Sequence, residues 1–114
     1  MANKKWAQNF LIQQEVVDSI VLAADVKNSD SILEIGPGLG ILTSALLESN
    51  SEVTAIEIDP ELCVRLRKRF ESEKKFTLLE MDAMELSPEE FSGLIPEPAK
   101  VVTSPVDLCT LRIL

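Results

Sequence analysis

Three glycines stand at alternate positions in the segment LEIGPGLGIL, at Gly36, Gly38 and Gly40. Glycine adopts backbone angles that other residues avoid, and its missing side chain lets a ligand approach the main chain. In open parallel sheets, ligands bind at the C-terminal ends of the strands, where a loop of this kind leads into a helix. The dinucleotide pattern G-x-G-x-x-G is matched poorly, because Ile41 stands where the third glycine would be.

Two acidic residues follow predicted strands farther along the chain. Glu57 lies near the end of the strand EVTAIEI, and Asp82 follows the strand FTLLE. A carboxylate at Glu57 can accept hydrogen bonds from both hydroxyls of a ribose, which NAD and S-adenosylmethionine both carry. Asp82 can accept from the exocyclic amine of an adenine. The alternatives are a surface charge for Glu57 and a turn or capping aspartate for Asp82.

The elements that must position these residues alternate between strand and helix. Asp59 and Pro60 fit a helix start, with Asp59 as the N-cap and Pro60 in the first helical position, and Ser87 and Pro88 repeat the arrangement. Residue spacing predicts strands over 31–35, 52–58, 76–80 and from Lys100, and helices over 13–26, 41–49, 60–70 and 88–94. This alternation predicts an α/β fold, with a parallel sheet, right-handed crossovers and flanking helices.

Length and composition predict one small domain over residues 1–114. The chain is 46% hydrophobic, which is enough for a core and argues against disorder. No apolar stretch is long enough to cross a membrane, and no apolar signal core follows the first lysines, so we expect no membrane association and a cytoplasmic location. The oligomeric state has no signal in the sequence.

Charge and cysteine content argue against other classes of function. The net charge of −8 disfavours nucleic-acid binding by the overall field, and the local basic cluster Arg65–Lys75 is interpreted as a solvated helix face. The chain has no histidine, and Cys63 and Cys109 are far apart. We therefore expect no metal site and two reduced thiols.

Four segments together resemble the ribosomal RNA adenine dimethyltransferases, the family that methylates adenines near the 3′ end of small-subunit RNA. They are AQNFLI, LEIGPGLGILTSALL, VTAIEIDPEL and MDAMEL, and the similarity extends over roughly 4–102. The resemblance implies a Rossmann-like class I methyltransferase fold, S-adenosylmethionine as cofactor, and ribosomal RNA of the small subunit as partner.

The resemblance also implies roles for individual residues. Gly36 and Gly38 would belong to the cofactor loop, Glu57 would hold the ribose and Asp82 the adenine amine. Asn9 and Leu11 would lie in an N-terminal segment across the cofactor; the alternative is that Asn9 caps a turn and Leu11 packs in the core. The other cofactor-binding residues that the resemblance implies are Ile58 and Ala83, which would border the adenine.

The sequence departs from the family pattern after the fourth predicted strand. The family has Asn-(Leu/Ile)-Pro-(Tyr/Phe) there, which positions the target adenine, whereas here AKVV continues into TSPV. The later strands and the helical RNA-binding domain are also missing, so we expect a fold that is incomplete on its C-terminal side, as in a truncated or internally deleted chain. Methyl transfer needs alignment of nucleophile and methyl group, so we expect very weak transfer or none. The alternatives are a catalytically inactive S-adenosylmethionine-binding module or scaffold and, less well matched, a nicotinamide-dependent oxidoreductase.

Overall fold

Four parallel strands form one sheet in the order β3-β2-β1-β4. The computed structural model describes residues 4–28, 30–94 and 99–103, with the side chains of residues 4–13 and 99 left out of that description. The strands are β1 (Ser31–Ile35), β2 (Glu52–Glu57), β3 (Phe76–Glu80) and β4 (Ala99–Thr103). All four predicted strands are confirmed, and β2 ends one residue earlier than expected.

Helices connect the strands, as the alternation predicts. They are α1 (Lys4–Ala23), α2 (Ile41–Glu48), α3 (Pro60–Arg69) and α4 (Pro88–Leu94), with a short 3₁₀ turn at Ala83–Glu85. The strands β1, β2 and β3 follow one another along the chain and also lie side by side in the sheet. Right-handed crossovers between them therefore place α2 and α3 on the same face of the sheet. The chain then crosses back to β4 on the other side of β1. The predicted α/β fold with a parallel sheet is therefore confirmed.

The first helix differs most from its prediction. It begins at Lys4, before the expected start, so the segment QNFL is also helical. It ends at Ala23 rather than Val26, because Asp25 takes a left-handed backbone conformation, with positive φ, that no right-handed helix can continue through.

Two helix starts follow the predicted capping chemistry. The Asp59 carboxylate accepts hydrogen bonds from the backbone N–H groups of Glu61 and Leu62, and Pro60 occupies the first helical position. At α4, the Ser87 hydroxyl accepts from the Glu90 N–H while the Glu90 carboxylate accepts from the Ser87 N–H. These local bonds satisfy amide groups that the first turn of a helix leaves without partners.

The core lies between the sheet and the helices. Its central cluster brings one residue of α1, Val17, together with residues of β1, β2 and α2: Ile32, Leu42, Leu46 and Val53. The alternation of side chains along β1 places Ile32 and Glu34 on this same face. A carboxylate therefore follows directly after apolar core residues.

β4 lies at the edge of the sheet formed by the described strands. Val101, on this edge strand, is 59% exposed. The tail DLCTLRIL, including Cys109, lies outside the described residues. Among the helices that the structure describes, none is long and apolar enough to span a membrane.

Candidate cofactor site

The glycine loop leaves the C-terminal end of β1 in a left-handed conformation. Gly36, Gly38 and Gly40 all have positive φ angles, in a region where residues with a side chain are strained. The Gly36 N–H donates to the Ile56 carbonyl oxygen over 2.9 Å, which ties the loop to β2. The glycine loop therefore lies at the predicted strand end.

The outer two glycines of the loop serve different purposes. A Cβ atom added to Gly36 would meet nothing within 4 Å, so open space adjoins the main chain there. A Cβ atom added to Gly40 would lie 2.7 Å from Cε2 of Phe70. Gly36 thus leaves room for a ligand, whereas Gly40 leaves room for an aromatic ring of the same protein.

Glu57 joins the loop to the start of α3. Its Oε1 accepts from the Gly38 N–H at 3.2 Å, and its Oε2 accepts from the Asp59 N–H at 3.1 Å. The residue is 6% exposed. A carboxylate offers about four acceptor positions, so two remain after these bonds. The carboxylate is held in one orientation by backbone groups and keeps capacity for further donors.

Asp82 lies at the same edge of the sheet. The Met81 N–H donates to the Glu57 carbonyl oxygen over 3.1 Å, which places the segment after β3 beside the end of β2. Oδ1 of Asp82 accepts from the Met84 N–H at 2.9 Å and caps the 3₁₀ turn. Oδ2 has no hydrogen bond among the described residues, so the capping role leaves one oxygen for a ligand.

Apolar residues stand beside these acids. Ile58 directly follows Glu57 and is 61% exposed, and Ala83 is half-buried at the start of the 3₁₀ turn. Met84 is exposed in the same turn. A flat apolar group could lie against these side chains, since exposed hydrophobic residues beside fixed polar groups are typical of ligand sites.

Asn9 and Leu11 both lie within α1, and their side chains belong to the part of the chain left undescribed. The backbone of Asn9 is thus inside a helix. Their assignment to the cofactor site stays a prediction.

The sequence analysis missed a buried acid, Glu34, which lies two residues before Gly36. It is fully buried, its Oε1 accepts from the Thr43 hydroxyl at 2.5 Å, and its Oε2 has no partner among the described residues. Burial raises the pKa of Glu34 to about 7, the Thr43 hydrogen bond opposes this rise, and the charge of Glu57 adds to it. A charged residue at an inward position of a short apolar strand was the available signal.

The C-terminal end of α3 contacts the glycine loop. Nη1 of Arg69 donates to the Leu39 carbonyl oxygen over 2.6 Å, and its guanidinium lies 5.2 Å from the centre of the Phe70 ring. Arg67 forms an ion pair with Glu80 on β3. The basic residues of α3 are all exposed, which agrees with their interpretation as a solvated helix face, and two of them also bind groups of the fold.

Cys63 lies on α3 beneath the site and is a free, buried thiol. Its Sγ donates to the Glu57 carbonyl oxygen over 3.5 Å, and burial raises the pKa of the thiol above its usual range. A raised pKa leaves less of the nucleophilic thiolate at neutral pH.

The chain is similar to known proteins over most of its length. A family model described as ribosomal RNA adenine dimethylase matches residues 1–100. A ribosomal RNA small subunit methyltransferase A from Dehalococcoides mccartyi is 42% identical over 92 residues, which are 81% of this chain and 32% of that protein. The Prochlorococcus marinus protein of the same name is 47% identical over 74% of this chain and 30% of its own. The chain thus spans about a third of these relatives.

Solved structures agree with the sequence comparison. The 23S rRNA methyltransferase ErmE superposes with a TM-score of 0.66 at 29% identity, over 78% of this chain and 34% of that one. An RNA methyltransferase from Salinibacter ruber in complex with S-adenosyl-L-homocysteine superposes with a TM-score of 0.60 at 26% identity, over 67% and 52%. The fold is thus the Rossmann-like fold of S-adenosylmethionine-dependent methyltransferases, and the chain belongs to the ribosomal RNA adenine dimethylase family.

Proposed function

We propose that this chain binds S-adenosylmethionine at the C-terminal edge of its sheet. The single observation that carries the proposal is the Glu57 carboxylate, which the Gly38 and Asp59 amides hold in place with acceptor capacity left over. A nucleoside ribose presents two adjacent hydroxyl donors, which suit one fixed carboxylate. Asp82 would accept from the adenine amine through its remaining oxygen, with Ile58 and Ala83 along the purine.

The loop fits a group that must approach the main chain closely. The open space at Gly36 is the space a side chain would fill, and the left-handed backbone there is tolerated because the residue is glycine. Gly38 would act through Glu57, since its N–H already donates to that carboxylate. Asn9 and Leu11, on α1, would complete the site from the N-terminal side.

The cofactor would supply a methyl group bonded to a positively charged sulfur. That sulfur is a good leaving group, so the transfer would need no acid–base help. The described residues would therefore bind and orient rather than transfer protons. Their contribution to the rate would come from alignment of the two reactants. None of the predicted site residues is assigned a catalytic role.

For the longer proteins of this family, the proposed reaction is N6-dimethylation of adenines in small-subunit ribosomal RNA. The partner would be the small ribosomal subunit, and the expected location is the cytoplasm. The names of the relatives, which refer to the small ribosomal subunit, support this substrate class.

A second candidate is an S-adenosylmethionine-binding module that transfers no methyl group. The observation in its favour is the sequence after β4, where TSPV stands in place of the adenine-positioning motif. Labelled methyl transfer to unmethylated small-subunit particles separates the two candidates. Robust dimethylation by this chain would refute the inactive module, and binding without transfer would support it.

Calorimetric titration tests the binding proposal directly. S-adenosylmethionine should bind, and NAD should not. Glu57→Ala should weaken binding by about 1–3 kcal/mol, the scale of lost hydrogen bonds to a charged group. Glu52→Ala, at the exposed start of the same strand, is the matched control and should leave affinity unchanged. Binding of NAD alone, or equal affinities for the two variants, would contradict the proposal.

A further inference from the structure

The buried Glu34 carboxylate is only half satisfied. Its Oε1 accepts from Thr43 at the first turn of α2, whereas its Oε2 has no partner within the described chain. A buried ionised carboxylate without compensating donors is costly, and such a group normally takes up a proton instead. The unpartnered atom belongs to a residue two positions before the loop that adjoins the proposed cofactor.

A second carboxylate shares this face of the sheet. Glu34 pairs in register with Ala55, and Glu57 lies two residues beyond Ala55 on the same strand, so both acids project to one side. The charge of Glu57 disfavours ionisation of Glu34. The two acids are therefore coupled through space at the edge where the ligand is proposed.

Neighbouring strands and helices offer Glu34 no counter-ion among the described side chains. On β4, Glu34 pairs with Val102, and the ammonium of Lys100 is engaged with Asp30 at the opposite end of the sheet. α2 carries no ionisable residue before Glu48.

The other two helices on this face carry charges that are directed elsewhere. On α1, the acids Glu15 and Asp18 flank the buried Val17 and are exposed. The four basic side chains of α3 are all exposed; Arg67 is paired with Glu80, and Arg69 is bound to the Leu39 carbonyl oxygen. None of these described side chains is paired with Glu34.

We propose that Glu34 holds a proton in the ligand-free protein and releases it when S-adenosylmethionine binds, so that its carboxylate offsets the positive charge of the ligand. The inference rests on the proposed function. In this step the O–H bond of the carboxylic acid breaks and the proton passes to water or a buffer base, with no change in oxidation state. Binding of the cofactor is thereby coupled to pH.

Calorimetry in two buffers of different ionisation enthalpy counts the protons released per bound S-adenosylmethionine. At pH 6 an acid with a pKa of about 7 is roughly nine-tenths protonated, so release should approach one proton. The apparent affinity should rise by up to about tenfold per pH unit below pH 7. Glu34→Gln keeps the shape of the side chain but has no proton to lose. Subtracting its count also removes any contribution from the amino group of the ligand.

Thr43 provides a second pair of variants. Thr43→Val removes the hydrogen bond that favours ionisation, so the midpoint of proton release should move to higher pH. Thr43→Ser keeps the hydroxyl and should behave like the natural chain.

The outcomes separate the inference from the proposed function. Equal proton counts for the natural chain and Glu34→Gln, with binding intact in both, would overturn the inference alone. No binding at any pH would refute the proposed function and the inference with it. A count near one that is lost in Glu34→Gln and shifted in Thr43→Val would support both.

Discussion

Replacing Glu34 by glutamine should change how the stability of the ligand-free chain depends on pH. The carboxyl has a pKa of about 7 in the folded chain and a usual value of 4.5. Because the folded pKa is raised, the native chain binds more protons than the unfolded chain between these values. The free energy of unfolding must then fall as pH rises through this window, with the loss complete above pH 7.

The size of the effect follows from the difference of about 2.5 pKa units between 4.5 and about 7. At about 1.4 kcal/mol per unit, ionised Glu34 costs about 3–4 kcal/mol of stability above pH 7. Since the side chain is fully buried, solvent screening does not reduce this figure. Glutamine resembles the protonated acid in shape and charge, so Glu34→Gln should have nearly constant stability from pH 5 to 8.

The chain suits this measurement because it has no histidine, the side chain whose usual pKa lies in that window. A hydrogen bond from the Lys27 N–H is the main cause that lowers the pKa of Asp30. A hydrogen bond from the Ser87 N–H is the main cause that lowers the pKa of Glu90. Their contributions to stability are present at higher pH and are lost only as pH falls through their lowered pKa values, below the window.

Urea unfolding followed by far-ultraviolet circular dichroism at pH 5, 6, 7 and 8 would measure the free energy of unfolding. Glu52→Gln, an exposed acid on β2, is the matched control and should follow the natural chain. The two curves of the natural chain and Glu34→Gln should diverge with rising pH. Parallel curves would refute the raised pKa and the burial from which it derives.

Three further substitutions test the glycine loop and the helix start beside it. Gly40→Ala should lower the free energy of unfolding by about 2–4 kcal/mol, because its methyl group would meet the Phe70 ring and its φ is left-handed; urea unfolding would measure this. Gly36→Ala has the same backbone strain but open space, so it should cost only about 1 kcal/mol while weakening S-adenosylmethionine binding at least about tenfold by calorimetry. Equal losses of stability in both variants would contradict this division of roles. Asp59→Ala should cost about 1 kcal/mol in thermal unfolding through the lost N-cap, and Asp59→Asn should restore most of it.

The strands and helices were largely predictable because their signals are local. Asp59-Pro60 and Ser87-Pro88 carry their own capping groups, and the helices begin where these pairs predict. The end of α1 was missed because the left-handed conformation of Asp25 has no strong local signature in a residue other than glycine.

The site was predictable only in part. Glu57 and Asp82 could be placed at one edge from the sequence, because the C-terminal ends of neighbouring parallel strands meet there. The hydrogen-bond partners of Glu57 could not be predicted from the sequence. Gly38 is 19 residues away along the chain, and its N–H reaches the Glu57 carboxylate only after β1 and β2 have paired. The same holds for Glu34, whose unpartnered oxygen depends on which side chains surround it.

The sequence by itself determined the alternation of elements, the bend at the glycines and the chemical types of the groups at the strand ends. These depend on backbone preferences and side-chain periodicity within a few residues. Tertiary structure alone decided that Gly40 must accommodate Phe70, that Glu57 is held by two amides, and that Glu34 is buried without a counter-ion among the described residues. Each of these depends on contacts between residues distant in the chain, and burial, which governs the energy of a charge, exists only once the core has formed.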